Sequence, residues 1–192
     1  MNKTLHFLSG LPRSGSTVLA AILNQNPATH VSTTSDLVFA LDSLANIWGQ
    51  KKILDENDPK RKRLAQTMRG VINSFYEDMP ENIIIDKART WPFTHILLAM
   101  RQVLNRKPKI IATVRSIPDC AASFVRIAKP EDMDEFMYSG QLIQHLKGSY
   151  ASLQSGYASH PECFLFVEYD DLLANPKTEL ERIHKFLDLD TF

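Results

Sequence analysis

Cysteine is scarce: Cys120 and Cys163 are the only two in 192 residues. That is too few for a disulfide framework or a cysteine-based zinc site. Net charge is absent too, with 22 Lys and Arg against 22 Asp and Glu. Binding a nucleic acid polymer usually shows as a basic excess, so no such partner is expected; a local basic pocket for a small anion is still compatible with this balance. Long apolar runs are also missing. Segments such as 18–23 and 96–100 fall far below the roughly 20 residues of a membrane-spanning helix. Before Gly10 there is one basic residue, Lys3, and no apolar stretch of signal-peptide length. No membrane segment and a cytoplasmic location are therefore expected.

What is present is ordinary for a folded chain: 44% hydrophobic and 23% charged residues, in a length that suits one domain over residues 1–192. Short apolar runs at 4–9, 30–33, 83–86, 109–114 and 164–167 alternate with helical stripes. The stripes are Val18-Ile22-Leu23, Leu37-Leu41-Leu44-Trp48, Leu64-Met68-Val71-Ile72-Phe75 and Leu142-Leu146-Tyr150-Leu153-Tyr157. Near the end Asn175 caps a helix, Pro176 opens it, and Leu180, Ile183 and Leu187 face inward. This alternation predicts an α/β fold in three layers, a central parallel sheet flanked by helices on both faces. The charged segment 55–63 reads as a surface loop.

The first run ends in Ser9-Gly10-Leu11-Pro12-Arg13-Ser14-Gly15-Ser16-Thr17, just before a helix pattern. Gly10 and Gly15 have the spacing of a phosphate-binding loop, whose backbone N–H groups turn onto an anion at a helix N-terminus. A nucleoside triphosphatase carries Lys after the second glycine. Here Ser16 holds that place, and the positive charge lies in the loop at Arg13. The loop keeps anion geometry without the usual apparatus for a γ-phosphate and its metal, so no metal site is expected. The fourth run leads into Arg115-Ser116-Ile117-Pro118-Asp119. Pro118 is suited to open a helix, with Asp119 and Ser123 on one face and Cys120, Phe124 and Ile127 on the other. Arg115 and Ser123 are candidates to clamp a second anion at the C-terminal edge of the sheet. Cys120 reads as a core residue, not a nucleophile.

Together these segments resemble the sulfotransferases that use 3′-phosphoadenosine 5′-phosphosulfate (PAPS), which share a P-loop NTPase-like domain. The loop resembles the Pro-Arg-Ser-Gly form of tyrosylprotein and related sulfotransferases. Arg115 and Ser123 are similar to that family's 3′-phosphate pair, and segment 166–173 with Asn175-Pro176 resembles its Tyr-Glu-Asp-Leu segment. The resemblance implies transfer of a sulfuryl group from PAPS to an acceptor hydroxyl or amine, in line and without metal, leaving 3′-phosphoadenosine 5′-phosphate (PAP). It implies donor contacts from Gly10, Pro12, Arg13, Ser14, Gly15, Ser16, Thr17, Arg115 and Ser123. Family members usually continue beyond the position of Phe192 into an Arg-rich segment that completes the 3′-phosphate cradle, so the chain reads as a fragment or a short form.

The third run emerges as Asp86-Lys87-Ala88-Arg89. The resemblance gives Lys87 the bridging oxygen of the leaving phosphate, and Arg13 a share of the charge. Cytosolic members carry their base, a His, two residues after that Lys; here the residue is Arg89. Tyrosylprotein members use a Glu after the second strand, and a strict count reaches Thr34. Asp36 is the nearest carboxylate and the expected base, with His95 in reserve. Adenine-stacking Trp is replaced by Val18. Phe39, Trp48, Trp91 and Phe93 are candidate walls for an acceptor, which the sequence leaves open among small molecules, carbohydrates and peptides. Two other functions stay open: a P-loop kinase for a small metabolite, and a nucleotide-binding module without catalysis.

Overall fold

The computed structural model describes residues 3–50, 59–138 and 140–189. The described strands are β1 (Thr4–Gly10), β2 (Thr29–Val31), β3 (Ile83–Lys87), β4 (Ile110–Val114) and β5 (Phe164–Glu168). They form one sheet in the order β2-β3-β1-β4-β5, and every pairing is parallel. Parallel neighbours need crossover connections, which helices supply. These are α1 (Ser16–Leu23), α2 (Leu37–Gln50), α3 (Pro59–Phe75), α4 (Thr94–Leu104) and α5 (Ile117–Ala128), then α6 (Met133–Tyr138), α7 (Gln141–Ser159), α8 (Tyr169–Ala174) and α9 (Pro176–Leu187).

Successive strand residues point to opposite faces, and the sheet divides two cores on that rule. Leu5, Phe7, Ile84, Ile110 and Ala112 pack with residues of α2, α3, α4, α5 and α7. Leu8, Ile85, Ile111 and Val167 pack on the other side with Leu19 of α1, Leu172 of α8 and Ile183 of α9. The expected three layers are present, and burial on both faces explains why the strands read as unbroken apolar runs.

Several local expectations change. Residues 55–58 of the expected loop lie outside the described residues. Its remainder, Pro59–Arg63, begins α3, because proline suits the first helical position, where no N–H is needed. Helix α7 is rotated from its expected stripe: Tyr150 and Tyr157 are about half exposed, while Ile143, Leu146, Ser149, Ser152, Leu153 and Gly156 face inward. The cause is close approach, since a Cβ on Gly156 would come within 2.2 Å of the Pro92 carbonyl oxygen. Ile127, on the last turn of α5, is exposed. Asn175 precedes Pro176 at the start of α9, but its side chain makes no capping hydrogen bond.

Strand register fixes the site. Leu8 lies opposite Lys87, Gly10 opposite Thr113, and Val114 opposite Glu168. The carboxyl ends of four adjacent strands therefore stand abreast, and the Gly10 loop, Lys87, Arg115 and Tyr169 leave the sheet along one edge. That edge is where open α/β sheets bind ligands.

Candidate active site

The loop between β1 and α1 depends on two glycines. Gly10 has φ 145°, and a Cβ there would lie 2.3 Å from Thr113 Oγ1. Gly15 caps α1 at φ 91°, and a Cβ there would lie 2.3 Å from the Tyr169 ring. Between them Arg13 takes a left-handed conformation, φ 67°, a cost of roughly 1 kcal/mol for a residue with a side chain. That turn sends its guanidinium outward, where Nε donates to Ser123 Oγ at 3.0 Å. Ser14 behaves differently from the other loop residues. It is buried, and its hydroxyl contacts the Leu11 and Thr113 carbonyls at 2.6 and 2.8 Å while its amide donates to Leu11 O. Ser14 fastens the loop to β4 rather than facing a ligand. Ser16 and Thr17 form the first turn of α1, whose amides lack intrahelical partners.

Arg115 leaves the end of β4 and Tyr169 the end of β5. The Arg115 guanidinium lies 4.5 Å from the centre of the Tyr169 ring. Its Nε is buried and has no hydrogen-bond partner among the described residues, which is costly unless a ligand meets it. A recess of about 430 Å³ opens here among Arg13, Arg115, Arg126, Ser123, Thr17 and Tyr169, and no carboxylate among the described residues lines it. Sequence reasoning singled out neither Tyr169 nor Arg126 for this site. The available signals were the Val114–Glu168 register, which sets Tyr169 beside Arg115, and the helical i,i+3 spacing of Ser123 and Arg126.

On the other side of the loop lies a cleft of about 270 Å³ lined by Pro12, Arg13, Thr17, Lys87, Arg89 and His145 among others. Lys87 Nζ donates to Thr17 Oγ1 at 3.1 Å, and its backbone amide donates to Ser32 Oγ at 2.8 Å. Partial burial, and secondly the charge of Arg89, lower the Lys87 pKa. Below it Asp86 is fully buried and accepts from Trp91 Nε1 at 2.9 Å and from the Tyr76 hydroxyl. Burial raises the pKa of both Asp86 and Tyr76. This network holds the end of β3 rigidly, so Lys87 emerges from a fixed base.

A third cleft, about 400 Å³ and mainly apolar, adjoins the second. Phe39, Phe93, Val38 and Gly148 line it, and it shares Thr34, Ala88, Arg89 and His145 with its neighbour. Phe39 and Phe93 are thus where an acceptor wall was expected. Trp91 is not: it is 1% exposed, packed 4.3 Å from Phe7 between ring centres. The side chain of Trp48 lies outside the described residues. Asp36 is exposed just before α2 and lines neither cleft. Thr34, the strict count, lines both. His95 pairs with Asp42 at 2.5 Å and stacks on Phe93, away from Lys87's cleft. His145, on α7, is exposed and lines both clefts.

A family profile described as "Sulfotransferase family" matches residues 7–192. The chain belongs to the sulfotransferase family. A curated relative, sulfotransferase 1A1 of Canis lupus familiaris, is 32% identical over 105 residues, which cover 49% of this chain and 36% of the relative. The sulfotransferase domain from the curacin biosynthetic pathway superposes with TM-score 0.64 at 18% identity, covering all of this chain and 76% of that one. The sulfotransferase domain of a Synechococcus olefin synthase gives 0.63 at 20% identity, covering 100% and 74%. Mouse sulfotransferase SULT7A1 complexed with PAP gives 0.57 at 13% identity, covering 100% and 61%. These likenesses agree with the expected P-loop NTPase-like fold of this sulfotransferase-family chain. Among its described residues, no cluster of three or more His, Cys, Asp or Glu could hold a metal ion, and no helix is long and apolar enough to cross a membrane.

Proposed function

We propose that this sulfotransferase-family protein moves a sulfuryl group from PAPS to an acceptor hydroxyl or amine by in-line transfer that needs no metal. The observation carrying this reading is the pair of cationic recesses on either side of one loop, with Arg13, Ser16 and Thr17 shared between them. PAPS has two separate anionic ends, the 5′-phosphosulfate and the 3′-phosphate, and two recesses match that division. ATP concentrates its charge in one chain and would leave the Arg115 recess without its anion.

The residues fit the donor. The amides at the start of α1, with Arg13 and Lys87, suit the phosphosulfate. Arg115, Ser123 and Arg126 suit the 3′-phosphate, which would meet the buried Arg115 Nε. Tyr169 lines the Arg115 recess beside Val18 and is the aromatic ring nearest to where adenine would lie. PAPS, when bound, supplies an activated sulfuryl group whose transfer is governed by position and charge. Lys87 holds an ammonium where the bridging oxygen gains charge, and Arg13 neutralises the equatorial oxygens. Gly10 and Pro12 shape the loop that keeps these donors in place.

Calorimetric titration with PAP, beside ATP and magnesium, tests the reading. PAP should bind preferentially, and Arg115→Ala should weaken it by about 10- to 150-fold, the range for hydrogen bonds to a charged group. Preference for ATP with magnesium would overturn the proposal.

A further inference from the structure

Transfer to a neutral hydroxyl needs a group that accepts the proton, and the walls of the two joined clefts narrow the choice. Among the described residues, their ionisable lining groups are Arg13, Lys87, Arg89 and His145, with no carboxylate. Arginine does not accept a proton in proteins. Lys87 serves as a cation and is tied to Thr17. Asp36 lines neither cleft, and His95 is bound to Asp42. His145 stands at the junction, on the wall shared by the Lys87 cleft and the apolar cleft of Phe39 and Phe93.

We infer that His145 is the general base, acting on the hydroxyl of an apolar acceptor seated against Phe39 and Phe93. This rests on the sulfotransferase reading above and names a residue and an acceptor class for the same site. Helix α7 gives the reason for its position. The inward turn of α7 on Gly156 places Gly148, Ser149 and Ser152 against the apolar cleft, and their small side chains leave room beside His145. In the step, the acceptor oxygen bonds to sulfur as its O–H proton passes to an imidazole nitrogen of His145. The bond from sulfur to the bridging phosphate oxygen breaks, and its electron pair stays on that oxygen beside the Lys87 ammonium. Among the described residues, the other charged groups facing these clefts are Arg13 and Arg89, both cations.

The experiment compares two acceptors with PAPS in the wild-type chain, His145→Gln and Asp36→Asn. 2-Phenylethanol keeps its proton near neutrality and needs a base; 4-nitrophenol arrives largely ionised at about pH 8 and does not. His145→Gln should lower kcat for 2-phenylethanol by about 10²- to 10⁴-fold, with 4-nitrophenol turnover and PAP affinity within about threefold of wild type. Asp36→Asn should leave both acceptors unaffected. Equal losses on the two acceptors, or a selective loss in Asp36→Asn, would overturn the assignment. NMR titration of the wild-type PAP complex with 2-phenylethanol adds a readout independent of turnover. The His145 ring signal, identified by its absence in His145→Gln, should shift, and a wild-type chain that binds PAP without that shift or turnover refutes the base. Failure of the wild type to bind PAP instead refutes the donor reading itself.

Discussion

Acidification should weaken this fold through His6, and the size of the effect follows from its surroundings. His6 lies within β1, 1% exposed, and neither ring nitrogen has a hydrogen-bond partner among the described residues. Burial, then the charges of Arg106 and Lys109, lower its pKa to about 3 from 6.5. The folded pKa is below the unfolded one, so the stability is fully present above 6.5 and is lost as pH falls from there towards 3. Between about pH 7.5 and about pH 5 this group alone should remove about 2 kcal/mol. With a urea slope near 2 kcal/mol per molar, the unfolding midpoint should drop by about 1 M. His6→Leu removes the titrating ring, and its midpoint should change less by that amount over the same interval. Asp86 acts in the opposite sense, since a raised carboxyl pKa favours the fold on acidification, but it does so equally in both proteins. Equal acid losses in wild type and His6→Leu would refute the reasoning.

Gly15→Ala forces a left-handed φ on a side chain that meets the Tyr169 ring; it should cost about 1–3 kcal/mol in chemical denaturation and weaken PAP binding by calorimetry. Trp91→Phe keeps most of the packing but removes a donor to buried Asp86. It should cost about 1–3 kcal/mol, seen as a thermal midpoint lower by roughly 2–4 °C for each kcal/mol. Lys87→Met should lower kcat with PAPS by about 10²- to 10³-fold while the chain remains folded by circular dichroism, as expected for a lost transition-state donor.

Strands β1, β3, β4 and β5 were legible as short, mainly apolar runs, whereas β2 is only Thr29-His30-Val31 and ends before the expected 30–33 does; the loop was legible because two glycines and an Arg lie where strand meets helix. Helix α4 contains the run 96–100, but its helical identity became clear only with the Phe93–Thr94 start. Helix α6 is only six residues long and fully buries none of them, so Met133, Phe136 and Met137 make too short a pattern to declare a helix. The start of α3 was hidden because Pro59 and its charged neighbours read equally as loop or first turn. Within the site, Arg115 and Lys87 could be placed by following a strand to its end. Tyr169 and His145 required information that is not local: one the pairing of β4 with β5, the other the rotation of α7 against Pro92. Trp91 looked like a cleft wall because its neighbours are, yet its indole N–H points to buried Asp86.

The hydroxyls that hold the two principal cations have a consequence for reorganisation energy. Lys87 rests on Thr17 and Arg13 on Ser123, each by a hydrogen bond of 3.0–3.1 Å to a neutral oxygen. An arriving anion would therefore meet charges already oriented, with Lys87 also partly stripped of water, and would exchange a weak neutral acceptor for a strong ionic one. Much of the solvent and side-chain rearrangement that would accompany charge transfer in water has taken place during folding, and left-handed Arg13 stores part of its cost in the backbone.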